Sequence, residues 1–231
     1  AASQIIVRYL KQDKVPAQVV YDYLFWLLVS VIAGARILYV LLNLAEYVPR
    51  PWYIFYLWEG GLFFHGGLIA GIAFTLVYLK LKKLDILEFG DALSLALPIG
   101  HGIGRLGCFF SGCCYGKPTD LPWGVIFNNP DTLAPINVRI HPTQLYELCG
   151  AGLIFGLLLL LARNLKFKGQ LFASYLILGS VLRWIVELFR DDYRGGVISG
   201  ITITQWLSLA LLVTGCGLYW YLTRRPARLS G

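Results

Sequence analysis

The chain has 231 residues, of which 57% are hydrophobic and only 14% charged, and its mean hydropathy is +0.64. An ordinary soluble domain carries roughly a quarter charged residues, so a chain this apolar lacks the polar surface to fold as a globule in water. The net charge of +7 does not indicate nucleic-acid binding, because the basic residues lie in short clusters at the ends of apolar runs. We predict a single polytopic membrane domain over residues 1–231.

A helix needs about 20 mostly apolar residues to cross a bilayer. Six stretches meet this requirement and are predicted to span the membrane: 22–43, 61–82, 90–110, 144–163, 171–188 and 201–222. The fold class is therefore an all-α helical bundle in the membrane. The chain contains no Met and begins within what reads as the tail of a longer segment, so we expect an upstream segment, up to a whole span.

Basic clusters predict the orientation of the bundle. They are Arg8, Lys11 and Lys14 before the first run, Lys80, Lys82 and Lys83 after the second, Arg163, Lys166 and Lys168 after the fourth, and Arg224, Arg225 and Arg228 after the sixth. If the chain crosses at every run, all four clusters and the C-terminus lie on one side, which the positive-inside rule makes cytoplasmic. The connections 44–60, 111–143 and 189–200 then lie on the outer face, and the proline-rich 111–143 segment is predicted to form an ordered extracytoplasmic cap.

Charged and titratable side chains within the predicted spans are functional candidates, because burying them in hydrocarbon is costly. They are Arg36, His65, Asp91, His101, Arg105, Glu147, Arg183 and Glu187. The helical rise of about 1.5 Å per residue places five of them in one layer near the outer face: His65, Arg105, Glu147, Arg183 and Glu187. Asp91 lies at the opposite face, where we expect it to cap a helix.

Glycines surround the arginine of the third span. Arg105 lies between Gly104 and Gly107, and small residues of this kind serve close helix packing. They also give a ligand access to the arginine, whose guanidinium donates two hydrogen bonds to a phosphate. We favour phosphate or lipid-headgroup binding for Arg105 over structural pairing with a glutamate.

The remaining polar candidates each have two interpretations. His65, followed by Gly66 and Gly67, is either a hydrogen-bonded core histidine or a general base. Glu187 and Arg190 share a helical face with Arg183, so they form either an ion-pair ladder that holds the bundle together or part of the site.

Three cysteines lie close together at the end of the third span, at positions 108, 113 and 114. Thiolates ligate zinc, but paired C-x-x-C spacing is lacking and His101 is predicted to lie deeper in the bilayer. A disulfide between Cys108 and Cys113, simple packing and a role for a free thiol are the alternatives. We expect neither a bound metal nor an organic cofactor.

Several segments resemble the signatures of one family, the prolipoprotein diacylglyceryl transferases. The segments are GAR at 34–36, WEGGLFFHGG at 58–67, GRLG at 104–107, YGKPTDLPWG at 115–124, RIHPTQLYE at 139–147 and LRWIVELFR at 182–190. They occur in order along nearly the whole chain. The family has seven spans, which implies that the first is the one we expect upstream.

The resemblance implies transfer of the diacylglyceryl group of phosphatidylglycerol to the lipobox cysteine of a preprolipoprotein. The expected reaction forms a thioether and releases glycerol phosphate. It would take place at the bacterial inner membrane, with the active site toward the outer leaflet. The expected catalytic residues are His65, as the base that deprotonates the thiol, and Arg105 and Arg183, which stabilise the leaving phosphate. The expected substrate-binding or lipid-binding residues are Gly66, Gly67, Gly104, Gly107, Gly116, Tyr146, Glu147, Glu187 and Arg190.

Three positions depart from the family pattern. Cys108 replaces the usual Asn, Cys113 replaces an acidic residue, and Gly179 replaces a common Tyr. Cys108 and Cys113 are therefore expected to be altered site positions. Two alternatives remain: a paralogous transferase that uses another acceptor, and a lipid-binding or thiol-redox membrane protein without turnover.

Overall fold

The computed structural model of the chain describes residues 2–10, 15–191, 197–198 and 201–224, and these residues are mostly helical. The α-helices are α1 (Ala2–Leu10), α2 (Ala17–Leu42), α3 (Leu44–Tyr47), α4 (Phe64–Leu81), α5 (Ile86–Ser111), α6 (Thr143–Ala162), α7 (Gln170–Glu187) and α8 (Ile203–Thr223). Two short antiparallel sheets pair β1 (Val125–Ile126) with β2 (Arg139–Ile140), and β3 (Val197–Ile198) with β4 (Ile201–Thr202).

Each of the six predicted spans coincides with a helix, within about five residues at either end. Five helices of the described part, namely α2, α4, α5, α6 and α8, are long and apolar enough to cross a membrane. The sixth, α7, forms over 18 residues but is not among those five. Its two charged side chains, Arg183 and Glu187, lie in its last two turns. The total number of spans stays a prediction.

The surfaces of the five apolar helices require a lipid environment. In the most apolar 18-residue stretch of each helix, only 17% to 28% is buried inside the protein. The exposed positions carry large apolar side chains such as Phe25, Trp26, Leu153 and Val213. Monomeric soluble proteins rarely expose this much apolar surface. The chain is therefore an all-α integral membrane protein.

The described chain divides into two compact units, Ile6–Phe89 and Gly90–Gly231 together with Ala1–Ile5. A single domain over the whole chain stays a prediction. Lys11, Lys14, Arg225 and Arg228 of the predicted basic clusters, and most of the connection from 192 onward to 200, lie outside the described residues.

Helices α2 and α4 form the core of the first unit and run antiparallel. The Tyr23 hydroxyl lies 2.9 Å from the Thr75 hydroxyl, and Ser30 donates to the Ala70 carbonyl oxygen. Further along, Gly34 faces Gly66 so closely that a Cβ atom on either would collide with the backbone of the other helix. The two helices therefore cross at a glycine contact, a packing mode common in membranes.

Arg36 organises the loop between these two helices. Its side chain is buried, and its guanidinium donates to five backbone carbonyl oxygens, those of Tyr53, Ile54, Tyr56, Gly60 and Gly61, at 2.7–3.2 Å. All of these acceptors are main-chain atoms of the 53–61 segment. Arg36, a functional candidate by sequence, thus supplies hydrogen bonds to carbonyl oxygens of a loop whose backbone forms only two short 3-10 helices, Pro51–Phe55 and Leu57–Glu59.

The second unit packs α6, α7 and α8 in an antiparallel order. Leu182 of α7 fills the space beside Gly150 of α6, while Ile177 of α7 lies against Gly215 of α8. The 111–143 segment is hydrogen-bonded to its neighbours, while its role as an extracytoplasmic cap stays a prediction. Lys117 donates its backbone N–H to the Phe189 carbonyl oxygen at 2.8 Å and accepts from the N–H of His141 at 2.9 Å. The first bond attaches the segment to the residues that follow α7, and the second lies within the segment.

Asp91 fixes the start of α7. Its carboxylate is almost fully buried and accepts hydrogen bonds from the backbone N–H groups of Gly169 (2.7 Å) and Phe172 (2.8 Å). The first N–H groups of a helix have no partner within the helix, and a carboxylate there also interacts favourably with the helix dipole. The helix-capping role expected for Asp91 is confirmed, although the helix that it caps is α7 and not its own.

We expect Asp91→Asn to lower the free energy of unfolding by about 1–3 kcal/mol, because the amide removes the charge and leaves one buried N–H without an acceptor. Unfolding of the detergent-solubilised protein measures this change. Asp85→Asn is the matched control, because Asp85 caps its own helix at an exposed position, where Asn and Asp are about equally good caps. An equal decrease in the free energy of unfolding for the two variants would contradict the role of Asp91.

Candidate active site

A buried carboxylate lies at the centre of the charged residues of the second unit. Glu147, on the first turns of α6, has a side chain only 2% exposed. Its Oε2 is 2.9 Å from Nε2 of His101 and 2.6 Å from Nε of Arg105, both on α5. Its Oε1 accepts from Nη1 of Arg183 on α7 at 2.7 Å and from Nη1 of Arg190 at 3.2 Å. One carboxylate therefore joins α5, α6, α7 and the segment after α7.

A second carboxylate extends this cluster toward α8. Glu187 accepts from Nη2 of Arg183 at 2.7 Å and from the Thr202 hydroxyl at 3.0 Å. Thr202 begins α8 with a capping box, in which it and Gln205 satisfy each other's backbone N–H groups. The ion pair predicted between Arg183 and Glu187 thus exists, and Glu187 is also bonded to the start of α8. Arg190 does not continue this helical face, because α7 ends at Glu187, and it pairs with Glu147.

The positive groups of the cluster are more accessible than the negative ones. The side chains of Arg105 and Arg183 are 17% and 21% exposed, whereas those of Glu147 and Glu187 are 2% and 8% exposed. With the buried Arg190, three guanidinium groups face two carboxylates, which leaves one net positive charge among these five side chains. This arrangement suits an anion that approaches from the side of Arg105 and Arg183.

The sequence predicts most of this cluster correctly but misplaces one member, His101. Arg105, Glu147, Arg183 and Glu187 come together as the predicted layer indicated. The sequence predicts a deeper position for His101, yet its Nε2 contacts both Glu147 and, at 3.4 Å, Nε of Arg105. The sequence does contain a feature that indicates this contact: His101 lies four residues before Arg105, which places both side chains on the same face of the helix. Arg105 also pairs with a glutamate, the alternative to phosphate binding, and phosphate binding stays a prediction.

The glycines beside Arg105 face open space. A Cβ atom at Gly104 or Gly107 would meet no other group within 4 Å, and both residues are exposed on α5. They therefore do not serve packing against another part of the described chain. Space beside these two glycines is what access for a ligand would require.

Gly116 lies in the 111–143 segment, and Tyr146 of α6 contacts that segment. The Tyr146 hydroxyl accepts from Nε1 of Trp123 at 2.9 Å and lies 3.0 Å from Nδ1 of His141. Gly116 pairs with Arg190 in an isolated β-bridge, and a Cβ atom there would collide with His141 and the Phe189 backbone. Both residues thus hold the 111–143 segment in place, and direct substrate contact by either stays a prediction.

His65 and its glycines lie in the other compact unit, on the first turn of α4. The His65 side chain is exposed, and its ring lies near the rings of Phe63 and Phe64. Gly66 and Gly67 are buried against α2. The structure therefore gives the two glycines a packing role, while their predicted substrate contact and the predicted base function of His65 are not tested by it.

The three neighbouring cysteines converge. Their sulfur atoms all lie within 4.8 Å of one another, and none of these three cysteines is in a disulfide. Cys113 lies in the turn after α5, outside the helix. Partial burial and the neighbouring thiols Cys108 and Cys114 raise its pKa to about 12, so the Cys113 thiol is protonated at neutral pH.

Comparison with known proteins identifies the family. The sequence matches the profile of the prolipoprotein diacylglyceryl transferase family over residues 1–221. It is 37% identical over 211 residues to the phosphatidylglycerol–prolipoprotein diacylglyceryl transferase of Bordetella bronchiseptica, covering 90% of this chain and 79% of that protein. Proteins of the same name from Clostridium tetani and Geobacter sulfurreducens are 36% and 35% identical, covering 80% and 89% of this chain and 73% and 79% of theirs. The chain belongs to the prolipoprotein diacylglyceryl transferase family.

Proposed function

We propose that the chain transfers the diacylglyceryl group of phosphatidylglycerol to the lipobox cysteine of a preprolipoprotein. The observation that carries this proposal is the net positive, partly accessible arginine cluster around Glu147. The match to the family and the names of the relatives favour this activity over a different acceptor or a non-catalytic lipid-binding or thiol-redox role.

The reaction joins a sulfur atom to a glyceryl carbon and releases a phosphate ester. The acceptor thiol loses its proton, its sulfur attacks the glyceryl carbon, and the bond from that carbon to the phosphate oxygen breaks. Glycerol phosphate leaves with the bonding electrons, so negative charge grows on its oxygen in the transition state. Preorganised cations aimed at developing charge lower the barrier most effectively.

Arg105 and Arg183 are the residues assigned to that charge. Both guanidinium groups are already oriented by Glu147, and Arg183 also by Glu187. Arg190 is too deeply buried to be the first contact of a ligand, so we assign it to positioning Glu147. Gly104 and Gly107 leave room for the lipid headgroup beside Arg105.

We assign the base function to His65, in line with the family signature. An unperturbed thiol has a pKa of about 8.5 and is mostly protonated at neutral pH, so attack requires a proton acceptor. The chain would lie in the bacterial inner membrane as a multi-pass protein, with the C-terminus in the cytoplasm and the active site in the outer leaflet. Both substrates are anchored in that membrane.

Turnover by the purified protein tests the proposal. In vesicles that contain labelled phosphatidylglycerol and a lipobox peptide, we expect two products in equal amounts: the thioether peptide and glycerol phosphate. Mass spectrometry identifies both, and a peptide with Ser in place of the lipobox Cys is the control. If phosphatidylglycerol is hydrolysed but no modified peptide forms, the lipobox cysteine is not the acceptor.

We expect Arg105→Ala and Arg183→Ala each to lower kcat/KM by at least about 10²-fold, the usual cost of removing one group that stabilises developing negative charge. Arg163→Ala is the matched control, because Arg163 is an exposed arginine at the other end of α6, and it should leave turnover unchanged. Thermal unfolding checks that each variant is folded. A folded variant with normal kcat/KM would remove that arginine from the mechanism.

We expect His65→Gln to lower kcat by about 10²–10⁴-fold at neutral pH, the range typical for loss of a general base. The deficit should shrink as the pH rises toward the pKa of the acceptor thiol, because more thiolate then forms without a base. Rates of variant and wild type measured across the same pH range give this comparison. Full activity of the variant at neutral pH would make His65 structural.

A further inference from the structure

Cys108 and Cys113 occupy two contacting positions of the turn that ends α5. Gly112, the first residue after this helix, has a left-handed conformation with φ of 66°. Its N–H donates to the Phe109 carbonyl oxygen at 3.1 Å, and the Cys113 N–H donates to the Cys108 carbonyl oxygen, also at 3.1 Å. These two bonds form a Schellman motif, in which the side chain after the glycine commonly packs against the side chain four residues before the glycine.

The motif keeps the two cysteines within bridging distance. Bond geometry and the backbone hydrogen bond between them hold their Cα atoms within about 7 Å, the limit beyond which a disulfide requires backbone movement. Their sulfur atoms lie within 4.8 Å of each other, so rotation of the side chains can close the gap to the S–S bond length of about 2.05 Å. The structure thus shows the reduced form of a pair that the backbone has already brought together.

The third cysteine of the cluster is less suited to either bridge. Cys113 and Cys114 are adjacent, and the Cα atoms of neighbouring residues lie about 3.8 Å apart, closer than the roughly 4.4–6.8 Å usual for a disulfide. Cys114 is also buried, whereas Cys108 and Cys113 are half-buried and open to an oxidant. Geometry and exposure together select the pair Cys108 and Cys113.

The surroundings of Cys113 favour an uncharged group. Partial burial and the neighbouring thiols Cys108 and Cys114 raise its pKa to about 12, so a thiolate is unfavourable at this position. A disulfide carries no charge and has no donor that needs a hydrogen-bond partner. The oxidised pair therefore fits this environment at least as well as two thiols.

We propose that Cys108 and Cys113 form a disulfide at the outer face of the membrane and that Cys114 stays a free thiol. The inference rests on the proposed function in one respect, the orientation of the chain, because the bacterial periplasm oxidises thiols and the cytoplasm keeps them reduced. The oxidant is the disulfide of an exported oxidoreductase. One thiol of the pair attacks this disulfide, and the other displaces the oxidoreductase from the mixed disulfide, whose two sulfurs take up both electrons and both protons.

The disulfide would restrain the connection between the two helices that meet at the arginine cluster. Arg105 lies one turn before Cys108 on α5. On the first turn of α6, Gln144 donates to the Cys113 carbonyl oxygen at 2.7 Å, and Glu147 follows one turn later. A covalent link between residues 108 and 113 thus fixes the turn to which both helices are attached, on either side of the contact between Arg105 and Glu147.

Mapping of the linkage in the full chain tests the inference without reference to turnover. Bacterial cells that form disulfides outside the cytoplasm are quenched with acid, and free thiols are alkylated under denaturing conditions. Chymotrypsin cleaves after Phe109, which separates Cys108 from Cys113 and Cys114. By mass spectrometry we expect the Cys108 peptide to be joined to Cys113, with Cys114 alkylated, and the two peptides to separate on reduction.

The effect of reduction on stability gives a second measurement. Reduction should lower the melting temperature of the detergent-solubilised protein by about 5 °C, because it gives the unfolded chain more freedom. Cys149→Ser, which changes an exposed cysteine elsewhere on α6, is the matched control and should show the same shift. Cys108→Ser and Cys113→Ser should show none, and an equal shift in all of these proteins would contradict the disulfide.

The outcomes separate the disulfide from the proposed function. Three alkylated cysteines, a linkage that includes Cys114, or a linkage that forms only after lysis would each overturn the inference. Transfer from phosphatidylglycerol by such a protein would leave the transferase intact. A linkage between Cys108 and Cys113 in a protein that transfers nothing would support the disulfide and reject the proposed function.

Discussion

The second unit depends on one buried charge, the carboxylate of Glu147. Removing a carboxylate from water costs several kcal/mol, and this cost is recovered only when its oxygens are fully paired. Here Arg105, Arg183, Arg190 and His101 supply those partners from two helices and from the segment after α7. The positions of these elements around α6 are therefore set by the need to neutralise a single side chain.

The same pairing affects how the site can handle its ligands. A guanidinium group that is already bonded to a carboxylate binds phosphate less tightly than a free one, because the two anions compete for the same donors. Such moderation is useful when the anion is a leaving group that must depart after each turnover. Glu147 would thus hold the arginines in the correct orientation and also limit the affinity for the released glycerol phosphate.

Much of this architecture could be predicted from the sequence, and the exceptions have physical reasons. Apolar runs predicted the helices, because a chain segment in hydrocarbon must satisfy its own backbone hydrogen bonds. The cost of burying charge in a membrane identified Arg105, Glu147 and Arg183 as candidates. Depth along a helix did not reveal which side chains would pair, so His101 was placed away from its partner. Nor could periodicity show that Arg36 serves a loop, that Gly66 touches Gly34, or that a left-handed turn brings three cysteines together, since these depend on contacts between distant segments.

Asp91 and Arg105 lie near opposite ends of α5, and each is linked to α7. Asp91 receives the first N–H groups of α7, whereas Arg105 reaches Arg183 through Glu147. Each added residue turns the rest of a helix by about 100°. A one-residue insertion in α7 between Phe172 and Arg183 would thus rotate one part of the helix relative to the other. Either the hydrogen bonds of Asp91 to the start of α7 or the ion pair of Arg183 with Glu147 would then be lost. The length of this part of α7 is constrained as tightly as the identity of its charged residues, and variation in chain length has to be confined to the connections.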